Sequence, residues 1–426
     1  MKQYASMTHA EQKAEYDRLL NEYRAFCDQH LSLDMSRGKP SNEQLELSMP
    51  MLDVLHGQHD MRAEGGVDIR NYGQLDGIPE VKRIFADLLE VEPDNIMVGG
   101  NSSLNMMFDC INWAEALGIM GCTPWAKLDK VKFLCPVPGY DRHFSICELF
   151  GIEMINIPMK EDGPDMDLVR EYVENDDSVK GIWCVPKYSN PTGITYSDDV
   201  VRAFAALKPA AKDFRIFWDN AYCVHHLSDT PDQLLNIFTA CKEQGSEDLV
   251  YEFTSSSKIS FSGAGIAVVA ASKANMADLK SKRTIQTIGP NKVVQLMHAR
   301  YFHTADGIRE HMKKHRALIE PKFNVVLDAF DKELSGLDIA SYTRPNGGYF
   351  ISFDTMPGCA SRVGELCKQA GVVLTTVGAT FPYGKDPEDK NIRVAPTFPS
   401  IEELSQAVTL FCLCVKMASL EKLMNA

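Results

Sequence analysis

Apolar and polar positions recur with a helical period at the start of this chain. Thr8 followed by Glu11 has the spacing of a capping box, and Tyr16, Leu19, Leu20, Tyr23 and Phe26 then repeat at helical intervals. The spacing predicts an N-terminal helix with one face to bury. From Leu33 to Tyr72 the period is lost, and Arg37-Gly38-Lys39-Pro40 and Gly65-Gly66 punctuate a polar stretch that predicts loop. From Pro79, suited to the first turn of a helix, amphipathic helical segments alternate with short apolar runs. The runs are Ile96–Val98, Val131–Cys135, Ile152–Ile157, Gly181–Val185, Arg215–Trp218, Leu249–Phe253 and Gly265–Ala270. Seven runs separated by six crossings form a βαβ pattern, which predicts a mostly parallel seven-stranded sheet with helices on both faces. Beyond Ala271 the pattern is helical to about Leu334. Shorter strands follow around Gly348–Phe353, Val372–Thr375 and Ile392–Val394, with helices near Arg362–Gln369 and Ile401–Leu423. The fold class expected is α/β: a large domain over residues 52–305, and a smaller, discontinuous α+β domain in which residues 1–51 rejoin residues 306–426.

Composition narrows the function classes. With 426 residues the chain has room for two cores without staples, and 45 % apolar with 24 % charged residues is the balance of a folded globular protein. The 44 Lys and Arg against 58 Asp and Glu leave a net charge of −14, which repels phosphate backbones and anionic lipid. Nucleic acid and membrane are therefore not expected as partners. The first twenty residues hold no apolar core of signal-peptide length, and no later run approaches a bilayer span. The 12 cysteines include no C-x-x-C pair, and most, such as Cys110, Cys135 and Cys184, lie in apolar stretches where a reduced thiol packs as a small hydrophobe. The expectation is a reduced protein of the cytoplasm.

Ligands of an open parallel sheet gather beyond the carboxyl ends of its strands, so the residues after each run carry the candidate chemistry. After Ile96–Val98 stands Gly99-Gly100-Asn101-Ser102-Ser103, feeding a helix through Leu104, Met107, Phe108 and Ile111. Free N–H groups and hydroxyls at such a turn suit a phosphate, although a serine there also serves as a plain helix cap. After Gly181–Val185 stands the turn Ser189-Asn190-Pro191-Thr192-Gly193, which turn chemistry alone can explain. Asp219 ends the next run, where a carboxylate is costly without a cationic partner. Lys258 follows four small hydroxyl residues, Thr254-Ser255-Ser256-Ser257, a poor context for a solvated surface charge.

Taken in order, Tyr72 with Gly77, Asn101-Ser102, Pro138-Gly139-Tyr140, Asn190-Pro191-Thr192-Gly193, Asp219-x-x-Tyr222, Ser255-x-x-Lys258 and Arg393 resemble the fold type I pyridoxal-phosphate aminotransferases, the aspartate aminotransferase superfamily. The resemblance runs over roughly residues 30–400. The stretches SRGKPS, GGNSS, PVPGYDRHF and SSSKISFSGAGIA are similar to a bacterial subgroup near the aminotransferase domains of MocR regulators. It implies the cofactor pyridoxal 5'-phosphate, held by Lys258 as an internal aldimine, with the released lysine moving the proton at the substrate α-carbon. It implies that Asp219 pairs with the pyridine nitrogen, that Tyr222 and Asn190 bond the phenolic oxygen, and that Tyr140 stacks on the ring. Asn101, Ser102, Ser103, Ser255 and Ser257 fall to the phosphate, with Tyr72 reaching the phosphate of a partner subunit in a homodimer. Arg393 would clamp the substrate α-carboxylate, bordered by Gly38 and Asn190, and Arg37 or Arg142 would meet a distal carboxylate.

One departure is plain. Most of the family carry an arginine a few residues after the lysine, facing the phosphate, and this chain reads Lys258-Ile-Ser-Phe-Ser-Gly-Ala-Gly-Ile266. Arg37, Lys39, Arg142, Lys187 and Arg283 are the candidate replacements. His311 and His315 have metal-ligand spacing, but H-M-K-K-H lacks the glutamate of a zinc hydrolase and is expected on a solvated face; no metal is expected. His225 and His226 are expected to be structural, and Gly263 with Gly265 is only a fragment of a dinucleotide fingerprint. The expected reaction is amino-group exchange between an amino acid, aspartate first, and 2-oxoglutarate. The alternatives are a lyase or decarboxylase with the same cofactor and a non-catalytic MocR-like sensor.

Overall fold

The apolar runs between Ile96 and Ala271 meet in one sheet. The computed structural model describes residues 2–56 and 61–425. After β1 (Leu33–Asp34) come β2 (Ile96–Val98), β3 (Lys132–Val137), β4 (Glu153–Lys160), β5 (Gly163–Pro164), β6 (Val179–Cys184), β7 (Arg215–Asp219), β8 (Val250–Ser255) and β9 (Ala267–Ala271). The last eight hydrogen-bond in the order β2-β9-β8-β7-β6-β3-β4-β5. Neighbours among β4, β3, β6, β7 and β8 are parallel, while β9 is antiparallel to both β8 and β2. The segment joining β8 to β9 contains no helix, and without a crossover of that length the chain returns antiparallel. An eighth strand, β5, joins the seven expected as a two-residue antiparallel edge on β4, too short to leave a pattern in the sequence.

Side-chain alternation sends Phe133, Trp183 and Phe217 to one face of the sheet and Leu134, Ile182 and Trp218 to the other, where separate helices cover them. Every residue of β7 is buried, Arg215 and Asp219 included. Cys110, Cys135 and Cys184 are buried too, and burial raises their thiol pKa values.

The remaining strands are β10 (Ala340–Tyr342), β11 (Ile351–Thr355), β12 (Val372–Val373) and β13 (Asn391–Val394). β10, β11 and β13 form an antiparallel sheet packed on the helices Ala305–Leu334 and Ile401–Met424. Thr8 and Glu11 do form the capping box of helix His9–Cys27, whose Leu19 and Tyr23 enter this same core beside Phe330, Phe353 and Phe411. Strand β1 pairs in parallel with β12, Leu33 against Val372. The stretch expected as loop thus holds a strand, and also a short helix, Asn42–Glu46, with its own Ser41–Gln44 capping box. Both are short, and their partners lie over 250 residues away in sequence, so no local period marks them.

Those partners also correct the expectation for His311 and His315, which are buried at 4 % and 0 % exposure rather than solvated. The segment carrying Gln44 and Ser48 lies over their helix face: Gln44 Nε2 is 3.0 Å from His315 Nδ1, and Ser48 Oγ is 3.2 Å from His311 Nε2. No helix among the described residues is long and apolar enough to cross a membrane.

Candidate active site

A cavity of about 580 Å³ opens beyond the carboxyl ends of β6, β7 and β8. Two helix N-termini, at Ser103 and Asp141, point into it from the large sheet, and the β1–β12 pairing brings Arg37 and Gly38 to its opposite wall. Gly38 is required there: a Cβ would lie 2.2 Å from Phe350 Cζ.

Asp219 closes β7 at 3 % exposure. Its Oδ2 accepts from His143 Nε2 at 3.0 Å, and its Oδ1 is buried with no protein partner among the described residues. His143 is held by stacking on Trp183, ring centroids 4.5 Å apart, and by an edge contact with Tyr140 at 4.9 Å. Lys258 sits half-buried in the turn after β8, its Nζ 5.4 Å from the Tyr222 ring centre and 5.8 Å from that of Tyr349. Desolvation lowers its pKa, Arg393 adds to the effect and Asp219 opposes it. Its carbonyl accepts from Tyr349 Oη at 3.5 Å and lies 3.3 Å from His225 Nε2, so His225 serves as a backbone support. Burial pushes the Tyr140 phenol up to about 12 and that of Tyr222 well above its ordinary value, keeping both protonated.

Below Lys258 the hydroxyls are chained. Ser255 Oγ donates to Ser257 Oγ at 3.1 Å, and Ser257 Oγ donates to the Asn101 carbonyl at 2.6 Å. Ser102 Oγ caps the backbone N–H of Leu104 at 3.2 Å, and Ser103 opens the helix. The Asn101 side chain turns away to donate to the Ser262 carbonyl at 2.9 Å and lines a separate cavity with Arg283.

Arg393, in β13, is pinned across the cavity. Nη1 donates to Asp141 Oδ1 at 2.8 Å and to Asn190 Oδ1 at 3.4 Å, Nε donates to Thr375 Oγ1 at 3.4 Å, and the guanidinium lies 4.8 Å over the Phe350 ring. Among the candidate cations, Arg37 and Arg142 line this cavity. Lys39 sits 3.9 Å over the Phe398 ring, and Lys187 lines another cavity with Glu252. Tyr72 is 81 % exposed and outside the cavity of its own chain. The sequence reading missed His143 and Asp141. Their one local signal is spacing: His143 stands one helical turn after Tyr140, and Asp141 opens the helix that Tyr140 precedes.

A mostly parallel sheet with a desolvated lysine in the turn after one strand and a buried aspartate ending its neighbour defines a fold type I pyridoxal-phosphate enzyme. Comparison with known proteins gives the family. Residues 7–426 match the family model described as aspartate amino-transferase, and the chain belongs to that family. It is 47 % identical over 418 residues to an aspartate aminotransferase of Corynebacterium glutamicum, covering 98 % of this chain and 95 % of the relative. A crystal structure of an aspartate transaminase from Corynebacterium glutamicum superposes with a TM-score of 0.96 at 45 % identity, covering 99 % of both chains. The fold extends to an alpha-aminoadipate aminotransferase of Thermus thermophilus, solved with N-(5'-phosphopyridoxyl)-L-leucine, with a TM-score of 0.72 at 18 % identity over 96 % of this chain and 95 % of that one.

Proposed function

We propose that this aminotransferase exchanges the amino group between aspartate and 2-oxoglutarate, using pyridoxal phosphate bound in the cavity around Lys258. The observation that carries the reading is one arrangement: the buried Asp219 Oδ1, unpaired among the described residues, shares its cavity with a lysine of lowered pKa and an immobilised arginine. The donor set fits the cofactor. An orphaned carboxylate oxygen suits a protonated ring nitrogen, and a helix N-terminus with hydroxyls suits a phosphate. When bound, the cofactor supplies an electron sink for the charge left on the α-carbon as its proton departs.

The protein's own groups do the rest. Lys258 Nζ would hold the cofactor and, when free, would accept the α-proton; desolvation lowers its pKa and so favours the unprotonated form that a base needs. His143 holds Asp219 Oδ2, and Oδ1, without a partner among the described residues, would pair with the cofactor's ring nitrogen. Tyr222 and Asn190 would bond the phenolic oxygen of the cofactor, and Tyr140 would cover its ring; all three line the cavity. Ser102, Ser103, Ser255, Ser257 and the Asn101 turn hold the phosphate without the arginine common in the family. Arg393 clamps the α-carboxylate, Gly38 leaves it room, and Arg37 or Arg142 meets the distal carboxylate at the cavity mouth. We read the molecule as a homodimer in which Tyr72 serves the partner's phosphate. Its 12 unpaired cysteines, mostly buried, support a reducing cytoplasm.

The deciding experiment is a single half-reaction of the loaded enzyme with a panel of amino acids. Aspartate and glutamate should bleach the visible band of the lysine-bound cofactor and release stoichiometric 2-oxo acid. Lys258→Ala should lack that band. Faster bleaching by another amino acid overturns the substrate pair, and pyruvate or carbon dioxide released without an acceptor overturns amino transfer.

A further inference from the structure

The arginine assigned to the substrate carboxylate already holds a carboxylate. Arg393 and Asp141 are 252 positions apart in sequence, on β13 and on the first residue of helix Asp141–Phe150, and meet at 2.8 Å within the cavity. The two side chains differ in freedom. Arg393 is 8 % accessible and braced by Thr375, Asn190 and the Phe350 ring, whereas Asp141 is 30 % accessible, and its carboxylate has no side-chain partner among the described residues except Arg393. A ligand therefore meets a guanidinium that stays in place and a carboxylate that can turn toward water. Arg393 Nη2 has no partner among the described residues, and Nη1 is taken. A bidentate carboxylate needs two adjacent N–H groups, so its seat is half occupied by Asp141.

We propose that Asp141 is an internal stand-in for the substrate α-carboxylate: it caps Arg393 between turnovers and is displaced when substrate binds. This rests on the assignment of Arg393 as the α-carboxylate clamp. Displacing Asp141 carries the same cost whichever side chain the substrate bears. Removing the anion therefore strengthens binding uniformly, lowering KM by one common factor across substrates, with kcat changing less and their ratios preserved. An Asp141 that stayed on Arg393 through turnover, to orient it, would give the opposite signature.

The test is calorimetric titration of the holoenzyme with succinate, a dicarboxylate without a reacting amino or oxo group, alongside KM for aspartate and glutamate. Asp141→Asn and Asp141→Ser remove the anion in two ways. Both should bind succinate about three- to tenfold more tightly, the scale of one net hydrogen bond. KM for both amino acids should fall by a similar factor, and the gain should vanish when Arg393→Gln is added. Unchanged or weaker succinate binding in both single variants overturns the proposal. If Arg393→Gln alone binds succinate as tightly as the unaltered enzyme, the clamp assignment itself is wrong, and the proposal falls with it.

Discussion

Glu252, in the middle of β8, is 3 % exposed and half satisfied: Oε1 accepts from Asn220 Nδ2 at 2.9 Å, and Oε2 is buried without a partner among the described residues. Burial pushes its carboxyl up to about 8, with the nearby Glu90 charge adding to the shift. The folded protein thus keeps a proton here that the unfolded chain releases near the ordinary value of 4.5. The stability contributed by Glu252 is complete below pH 4.5 and is lost as pH rises through about 8. Glu252→Gln keeps the acceptor for Asn220 and cannot ionise, so its melting temperature should fall less than that of the unaltered protein between pH 6 and pH 9. Scanning calorimetry at the two pH values checks this, and equal drops would contradict it. At this scale, what the sequence discloses depends on whether a residue is anomalous in its own surroundings. Asp219 and Lys258 are legible because an ionisable side chain at the end of an apolar run demands an explanation. His143 and Asp141 look ordinary on their amphipathic helix, and their significance comes from partners 76 and 252 positions away.

Elements act on the site through their packing, and the helix Ala305–Leu334 shows how. His315 and His311, one turn apart with their Nε2 atoms at 3.1 Å, link Gln44 and Ser48 to the carbonyl of Ile259, 3.0 Å from His311 Nε2. Gln44 Nε2 also donates to Tyr349 Oη at 2.9 Å, and Tyr349 reaches the Lys258 carbonyl. The backbone on both sides of the Lys258–Ile259 bond is thereby tied to the N-terminal segment. Burial lowers His315 to about 3 and His311 to about 4, so both stay neutral where unfolded histidines would charge. Their contribution to stability is present above pH 6.5 and drains away as pH falls toward 4. His315→Ala leaves a cavity and strips a partner from Gln44, a loss of about 2–4 kcal/mol that urea denaturation can measure at pH 7.5. It should also reduce the acid sensitivity between pH 6.5 and pH 5. The charged neighbours in H-M-K-K-H point to solvent, but only the fold reveals that the two histidines turn the other way. The same limit hides β1 and helix Asn42–Glu46, whereas the seven principal strands announce themselves through unbroken apolar runs.

Across the whole molecule, a net charge of −14 coexists with a cavity lined by Arg37, Arg142, Lys258 and Arg393. The acidic surface is also interrupted: Tyr72, Ile285 and Ile288 are 81 %, 80 % and 58 % exposed. Gly289 packs against the Gly73 carbonyl, which also accepts from Lys292 Nζ at 3.0 Å, so the loop carrying Ile288 lies beside the turn carrying Tyr72. Large apolar side chains exposed together, next to a tyrosine that reaches nothing in its own chain's cavity, suit an interface between two copies. Sedimentation should give twice the chain's 47.6 kDa, and Ile285→Asp with Ile288→Asp should shift it toward monomer. Lys258→Ala and Tyr72→Ala each impair every site of their own homodimers. If Tyr72 crosses to the partner, a mixed dimer holds one site missing both groups and one site with both intact. If it serves its own chain, both sites of the mixed dimer are impaired. Co-refolding equal amounts of the two variants should therefore restore about a quarter of the unaltered sites, since half the dimers are mixed and half their sites are intact. Transaminase activity that never rises above that of the Tyr72→Ala homodimer would return Tyr72 to its own chain.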